Sequence, residues 1–358
     1  MADQVRSYGH QTAAILPAEQ GIAEWYESAD IDTYYWWSEP LRRKRNVLGQ
    51  LWFLLLAVLA SLRIAALVRS EDVDVVHVNE VRYPYALFGA RLGGARVVCH
   101  VRANYESRTL RRVLSTATAI LSHRVLCVSE RTKEIMFDDV GIDSDHVQVL
   151  WDGLPVDDDH KPIPQESSFR EEYGIDQETT LVLCLSKLVE IKGQERVVDA
   201  AQAVNPPAGD VTFALVGGSV AGHEEYERTL RRDTRDMENV VMTGFYEDAM
   251  AAIVACDVLV HVPTYEDPFP NVVLEGMMCG KPVIGASIGG IPEQVIDGET
   301  GILVPATGEG DDIATAVEHL HEDPSKRNRI GARAKDHVEE TLDPERYYEE
   351  LDALYRRV

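Results

Sequence analysis

Both halves of this 358-residue chain alternate short β-branched runs with stretches of helical periodicity, which restricts it to parallel α/β sheets. In the first half the runs are QTAAILP from Gln11, DTYYWW from Asp32, DVVHVN from Asp74, RVVCHVR from Arg96 and HRVLCVS from His123. In the second they are LVLCLSKL from Leu181, VTFALVG from Val211, VVMTG from Val240, DVLVHV from Asp257, PVIGA from Pro282 and TGILV from Thr300. The length suits two domains of similar size. Two doubly wound domains are therefore predicted, over 1–155 and 169–340, joined by an Asp- and Pro-rich linker over 156–168. Such sheets take ligands at the C-terminal ends of their strands, so two facing sheets put a substrate in the cleft between them. The last stretch, 341–358, reads as an amphipathic helix with Tyr347, Leu351, Leu354 and Tyr355 on one face, able to cross back from the second domain to the first.

The formal net charge is −25, carried by 60 acidic residues against 35 basic ones, only 8 of them lysine. Residues 1–150 hold 17 basic and 18 acidic residues, so nearly all of the acidity lies in 151–358. A surface of this kind suits a saline cytoplasm and excludes nucleic acid as partner, since that partner requires a basic footprint. The five cysteines form no CxxC pair or Cys/His cluster and read as buried thiols in a reducing compartment. Asp72–Asp74 and Asp157–Asp159 have DxD spacing, but one precedes a strand and the other lies in the linker, so no metal role is assigned.

The most informative segment is YEDPFPNVVLEGMMCGKPVIGASIGG, Tyr265 to Gly290. After a strand come a loop, Asp267-Pro-Phe-Pro, and a helix predicted from about Asn271 to Gly280, with proline at its start and glycine past its end. Asp267 sits before that helix and Glu275 about two turns into it. The free N–H groups and positive dipole end of the helix, at Asn271 and Val272, then face an anion such as a diphosphate, with a carboxylate on either side to accept hydroxyl hydrogen bonds. A second element, Ser186-Lys187-Leu-Val-Glu-Ile-Lys192-Gly193, follows a strand and sets two of the eight lysines within six residues.

On these motifs the chain resembles the retaining glycosyltransferases of family four, the glycosyl transferases group 1. The resemblance spans about residues 180–305 and implies a GT-B fold. It also implies a nucleotide-sugar co-substrate, UDP- or GDP-linked, with no cofactor and no metal. By this likeness Asp267 holds the donor sugar and Glu275 the ribose, while Lys187 and Lys192 meet the leaving diphosphate. Phe269, Pro270, Asn271, Val272, Gly217, Gly244 and Phe245 complete the donor site. Three departures stand out. Asp267 replaces the usual glutamate and is shorter by ~1.5 Å; Glu266 lies beside it. Pro270 stands where glycine is common, and Lys187 where the family has arginine. Set against the resemblance, the opening strand and glycine loop, roughly thirty residues, are missing, which implies either a misplaced start codon, the favoured reading, or a shortened form with impaired activity.

In the first half, His100 ends a strand, and by the same likeness it contacts the donor sugar near the reacting carbon. Arg102, Asn104 and Ser129 are candidate acceptor contacts on the same rim. The reaction implied is same-face attack by the acceptor hydroxyl, the departing phosphate oxygen taking its proton. Arg42-Arg43-Lys44-Arg45 precede an apolar run, Leu51 to Leu62, of twelve residues, too short to span a bilayer. With Trp52 and Phe53 beside the charges, the run reads as a helix lying on an anionic membrane, a core helix being the alternative. The reading is thus a cytoplasmic glycosyltransferase, peripheral on the membrane face, with a glycan or lipid-linked acceptor. A nucleotide-sugar epimerase on the same scaffold and a non-catalytic sugar-nucleotide-binding partner stay open.

Overall fold

The computed structural model describes residues 2–16, 26, 28, 29, 31–36, 39–41, 47–142, 145–153, 168–204 and 210–358. It divides into two compact units, one of residues 1–155 with 344–358 and one of residues 156–343. The second division thus falls after Asp343, slightly later than the 340 expected. Residues 156–167 of the linker lie outside the described residues, as do Arg42, Arg43, Lys44 and Arg45.

The first unit opens with α1 (Ala2–Ser7), then β1 (Ala13–Leu16) and β2 (Asp32–Tyr35), which pair in parallel. There follow α2 (Val47–Ser70), β3 (Val75–Asn79), α3 (Pro84–Gly93), β4 (Arg96–Val101), α4 (Arg108–Leu121), β5 (Arg124–Cys127), α5 (Glu130–Met136) and β6 (Val147–Val149). Strands β3 to β6 form a parallel sheet in sequential order. Val97, Val98, Cys99, Val125 and Leu126 are fully buried, the two-sided burial that makes parallel strands read as continuous apolar runs. Strand β6 was not among the expected runs; its three residues are too few to register as a period. The C-terminal helix, Pro344–Arg357, belongs to this unit. Its face of Tyr347, Leu351 and Leu354 is buried with Val98, Leu126 and Leu150, as its periodicity indicated.

Helix α2 corrects one expectation. It runs 24 residues through Arg63, and Leu48–Ser70 is long and apolar enough to cross a membrane by length and composition. A single arginine does not end a helix whose neighbours are good helix formers, so the run is not limited to twelve residues. One face, Phe53, Ala57, Ala60, Ile64 and Val68, enters the core of this unit. Small residues permit close packing there: a Cβ on Gly89 would meet the Ser61 carbonyl at 2.6 Å, and one on Gly93 would meet Val68 at 2.6 Å. The other face, Leu48, Leu51, Trp52, Leu54, Leu55, Val58, Leu59 and Leu62, is exposed. Phe53 therefore does not share the surface of Trp52, because successive residues on a helix point about 100° apart.

The second unit contains α6 (Phe169–Glu172), β7 (Thr180–Leu185), α7 (Gln194–Ala203), β8 (Val211–Val216), α8 (Glu224–Asp233), β9 (Val240–Gly244) and α9 (Ala249–Ala255). It continues with β10 (Val258–His261), α10 (Asn271–Met278), β11 (Val283–Ala286), α11 (Ile291–Gln294), β12 (Gly301–Val304), α12 (Gly310–Glu322) and α13 (Pro324–Thr341). All six expected strands are present. They form one parallel sheet in the order β9-β8-β7-β10-β11-β12. The chain winds outward one way from β7 and the other way from β10, so the direction reverses between these two strands. Ligands of doubly wound sheets sit at that reversal, outside the C-terminal strand ends.

Candidate functional site

At the reversal in the second unit the loops after β7 and β10 meet. The loop after β7 closes in a short turn, Glu190–Lys192, ended by Gly193 at φ +75°. A Cβ there would meet the Val262 carbonyl oxygen at 2.1 Å, so only glycine lets the two loops touch. Thr264 N–H donates to the Ile191 carbonyl across the same contact. Lys192 is thereby delivered to the second loop. Its Nζ donates to Asp267 Oδ2 at 2.6 Å and to the Tyr265 hydroxyl at 3.2 Å.

Asp267 is 5% exposed and also receives a hydrogen bond from His261 Nε2 at 3.1 Å. Burial by itself would raise the Asp267 carboxyl. The His261 hydrogen bond and the Lys192 charge outweigh it and hold the group at about 2. Desolvation likewise opposes the Lys192 charge, but Asp267 and Tyr265 more than compensate, and its pKa is raised. Burial holds His261 below its ordinary value, with Asp267 acting partly against it. A neutral His261 beside an ionised carboxylate must carry its proton on Nε2. His261 and Tyr265 escape a reading by motif, since His261 looks like one more position in the apolar strand DVLVHV.

The loop bearing Asp267 is clamped from behind. Gly290 N–H donates to the Asp267 carbonyl at 2.8 Å, and Gly289 N–H to Glu266 Oε2 at 3.0 Å. A Cβ on Gly289 would lie 2.1 Å from the Asp267 carbonyl oxygen, and one on Gly290 1.9 Å from that of Pro268. The glycine pair is thus the seat of this loop. Glu266 is committed to it and does not stand in for the shorter Asp267. Phe269 is buried beneath Gly290, and the Pro270 carbonyl accepts from Gln294 Nε2 at 3.1 Å. These two expected donor contacts hold the loop from within.

Helix α10 starts at Asn271 with Pro270 as its cap residue. Helix geometry leaves the N–H groups of Asn271 and Val272 without intrahelical acceptors. Glu275 follows one turn after Asn271, not the two expected, and on the same face, half-buried and with no partner among the described residues; burial raises its pKa. Gly217, at φ +144°, lets the ends of β7 and β8 converge, since a Cβ would lie 1.9 Å from the Ser186 carbonyl oxygen. Its N–H donates to Gly244 O, and Phe245 beyond is 81% exposed. Gln194 Nε2 holds the Ser186 hydroxyl and the Lys187 carbonyl, both at 2.8 Å, while the Lys187 side chain is exposed. Lys192 and Asp267 are brought into contact; Asn271, Val272, Glu275, Lys187, Gly217, Gly244 and Phe245 are carried by neighbouring strand ends of one sheet.

The first unit treats its expected residues differently. His100 is fully enclosed, its ring stacked with Tyr347 at 6.5 Å between centroids and 5.5 Å from that of His77. Its Nε2 lies 3.8 Å from Asp152 Oδ1, and Arg102 forms an ion pair with the other Asp152 oxygen. Burial, then Arg102 and His77, hold His100 well below its ordinary pKa. The ring thus lies buried under Tyr347 of the C-terminal helix, not on an open rim. Ser129 is likewise corrected: it is buried, and its hydroxyl caps α5 by accepting from Thr132 N–H at 3.0 Å. Arg102 and Asn104 remain half-exposed beyond the end of β4.

Comparison with known proteins follows this division. Residues 2–158 match the model "Glycosyltransferase Family 4", and residues 165–337 match "Glycosyl transferases group 1". The fold so defined is that of the GT-B glycosyltransferases, and the two halves match their family 4 and group 1 models. One relative is the GDP-mannose-dependent alpha-(1-6)-phosphatidylinositol monomannoside mannosyltransferase of Mycolicibacterium smegmatis, 29% identical over 290 residues, 76% of this chain and 74% of that protein. Another is the D-inositol 3-phosphate glycosyltransferase of Kribbella flavida, 29% identical over 49% of this chain; the match spans less than half of that relative, 43% of its length. Among solved structures, Anabaena HepE in complex with UDP and glucose superposes with a TM-score of 0.83 at 22% identity, covering 100% of this chain and 95% of that one. These matches do not favour the epimerase reading.

Proposed function

We propose that this chain transfers a sugar from a nucleoside diphosphate sugar to a hydroxyl acceptor with retention of anomeric configuration. The observation that carries this reading is the Lys192–Asp267 pair, set at the reversal of strand order beside the start of α10. The diphosphate docks on the N–H groups of Asn271 and Val272 and draws the ammonium groups of Lys192 and Lys187. Glu275 takes the ribose hydroxyls and Asp267 the sugar. As the glycosidic bond breaks, the lysines and helix end take up the charge developing on the diphosphate, and the acceptor hydroxyl enters on the same face. Its proton passes to the departing phosphate oxygen, so neither a metal nor a protein nucleophile is invoked. The mannosyltransferase relative names GDP-mannose and HepE was solved with UDP, which supports a UDP- or GDP-sugar donor.

The acceptor is a glycan or lipid-linked sugar met at the membrane. The outer apolar face of α2 supports this, with Trp52 61% exposed and the basic run Arg42–Arg45 just before it. The chain is read as cytoplasmic and peripheral on the membrane, and its acidic second half as a solvated surface suited to a saline cytoplasm, with Tm rising as KCl is added. The deciding experiment is a thermal-shift screen of UDP- and GDP-sugars, followed by NMR of the product anomer. A Tm increase with a nucleotide sugar, lost in Lys192→Ala and Glu275→Ala, supports the site; a full shift in both variants removes it. An inverted anomer removes retention.

A further inference from the structure

Glu80 stands one residue beyond β3 with φ +114°, a conformation that side-chain-bearing residues rarely adopt. Its N–H still donates to the His100 carbonyl at 2.9 Å, so the β3–β4 ladder continues to this residue and then breaks sharply toward buried Val81. Glycine takes such a φ without strain, yet the position carries a carboxylate. One oxygen, Oε1, accepts from Val81 N–H at 2.7 Å and from the Tyr105 hydroxyl at 3.0 Å. The other has no partner among the described residues. The charges of two guanidinium groups act on the carboxyl. Arg82 lies over the Tyr105 ring at 5.9 Å, and Arg102 is paired with Asp152. The Nε atoms of both are buried without a protein acceptor. The set offers one open carboxylate oxygen and two buried N–H donors at the C-terminal end of adjoining parallel strands, where such sheets bind ligands.

We infer that the Glu80 carboxylate, with Tyr105, Arg82 and Arg102 about it, binds adjacent hydroxyl groups of a sugar acceptor. This rests on the reading above, in which the first unit takes the acceptor. The two cations are balanced by Glu80 and Asp152, so the site suits a neutral polyol rather than a phosphate. Acceptance by a carboxylate and donation by guanidinium N–H is the pairing that neighbouring hydroxyls need. Burial raises the Glu80 pKa despite Tyr105, Val81 N–H and the two arginines, and a sugar hydroxyl donating to the open oxygen favours the ionised form again.

The test separates a ligand contact from a turn cap. Glu80→Gln keeps an oxygen for Val81 N–H and Tyr105 but turns the open acceptor into a donor. Saturation-transfer NMR on the full chain uses the methyl glycosides of glucose, mannose and galactose as probes. The wild type gives ring-proton signals for at least one glycoside, and Glu80→Gln weakens that binding more than about tenfold, with Tm within about 2 °C of wild type. Glu80→Gly, which relieves the backbone, keeps its Tm and also loses the signal. No signal on the wild type, or equal binding by Glu80→Gln, overturns the inference, as does a steep fall in the Tm of both variants. The nucleotide-sugar thermal shift is read in parallel. If it is absent while glycosides still bind through Glu80, the transferase reading falls and the sugar site stands.

Discussion

The Lys192 ammonium lies 2.6 Å from Asp267 Oδ2 and joins the loop after β7 to the loop after β10 at the reversal of strand order. Both groups are mostly buried, so each depends on the other. Removing one partner from a buried pair leaves an uncompensated charge, while removing both is far milder. In the proposed donor site a docking diphosphate competes with Asp267 for this ammonium, which would couple donor binding to the position of the acid.

Lys192→Ala therefore lowers stability by roughly 3 kcal/mol at pH 7. Adding Asp267→Asn to it restores a large part of the loss, since no charge is then stranded. Urea unfolding of the two single variants and the double variant checks this cycle. Strictly additive losses would show that the pair is not coupled.

The pair also fixes a pH window. Asp267 is held at about 2, below its ordinary 3.8, so its contribution is complete above pH 3.8 and disappears as pH falls through about 2. Lys192 is raised above 10.5, so its contribution is complete below that pH and disappears as pH rises through its folded value. The stability gap between wild type and Asp267→Asn is flat near neutrality and shrinks below pH 3.8. A gap independent of pH down to 2 contradicts the assignment.

Glu275 behaves with the opposite sign. Burial raises its pKa, so the ionised carboxylate is disfavoured by folding and stability falls as pH rises above 4.5. Glu275→Gln has a higher Tm than wild type at pH 7, and the difference closes below pH 4.5. The same variant loses the thermal shift produced by a nucleotide sugar. A lower Tm at pH 7 would mean that an ionised Glu275 supports the fold.

Gly290→Ala drives a methyl group to 1.9 Å from the Pro268 carbonyl oxygen. The loop carrying Asp267 must shift, at a cost of about 1–3 kcal/mol. Donor-induced stabilisation disappears with it, although Gly290 is not among the proposed donor contacts. Gly222→Ala, where no atom lies within 4 Å, leaves the donor shift in place. Equal donor shifts in the two variants would detach the glycine seat from the site.

Trp52 and Phe53 are neighbours in sequence and opposites in environment. Trp52→Ser with Leu55→Ser and Leu59→Ser leaves Tm unchanged and reduces flotation with anionic liposomes. Phe53→Ala, from the core, costs about 3–5 kcal/mol, and the protein that remains folded still floats. Undiminished flotation of the triple variant removes α2 as the membrane contact.

Several features of the site were legible because they depend on local chemistry. Pro268 to Asn271 start a helix and Gly280 follows its end whatever surrounds them. Glycine at 193, 217 and 289 marks positive φ. Two lysines after one strand and two acids around a later helix are the pattern from which an anion site is proposed. Other features are set by neighbours distant in sequence. His261 reads as one more strand position until Asp267 folds back onto it. His100 reads as a rim residue until the C-terminal helix lays Tyr347 over it, and Ser129 as a contact until its hydroxyl closes on Thr132.

By itself the sequence determined the α/β class, the division near residue 155 and the loop-and-helix motif that begins α10 at Asn271. Periodicity, caps and turns act within a few residues and are written in them. Only tertiary structure decided that Lys192 is held by Asp267, that α2 keeps one face bare, and that Glu80 bears a strained turn with an open oxygen. Those outcomes depend on which surfaces meet in space, and burial and charge act through space whatever the separation along the chain.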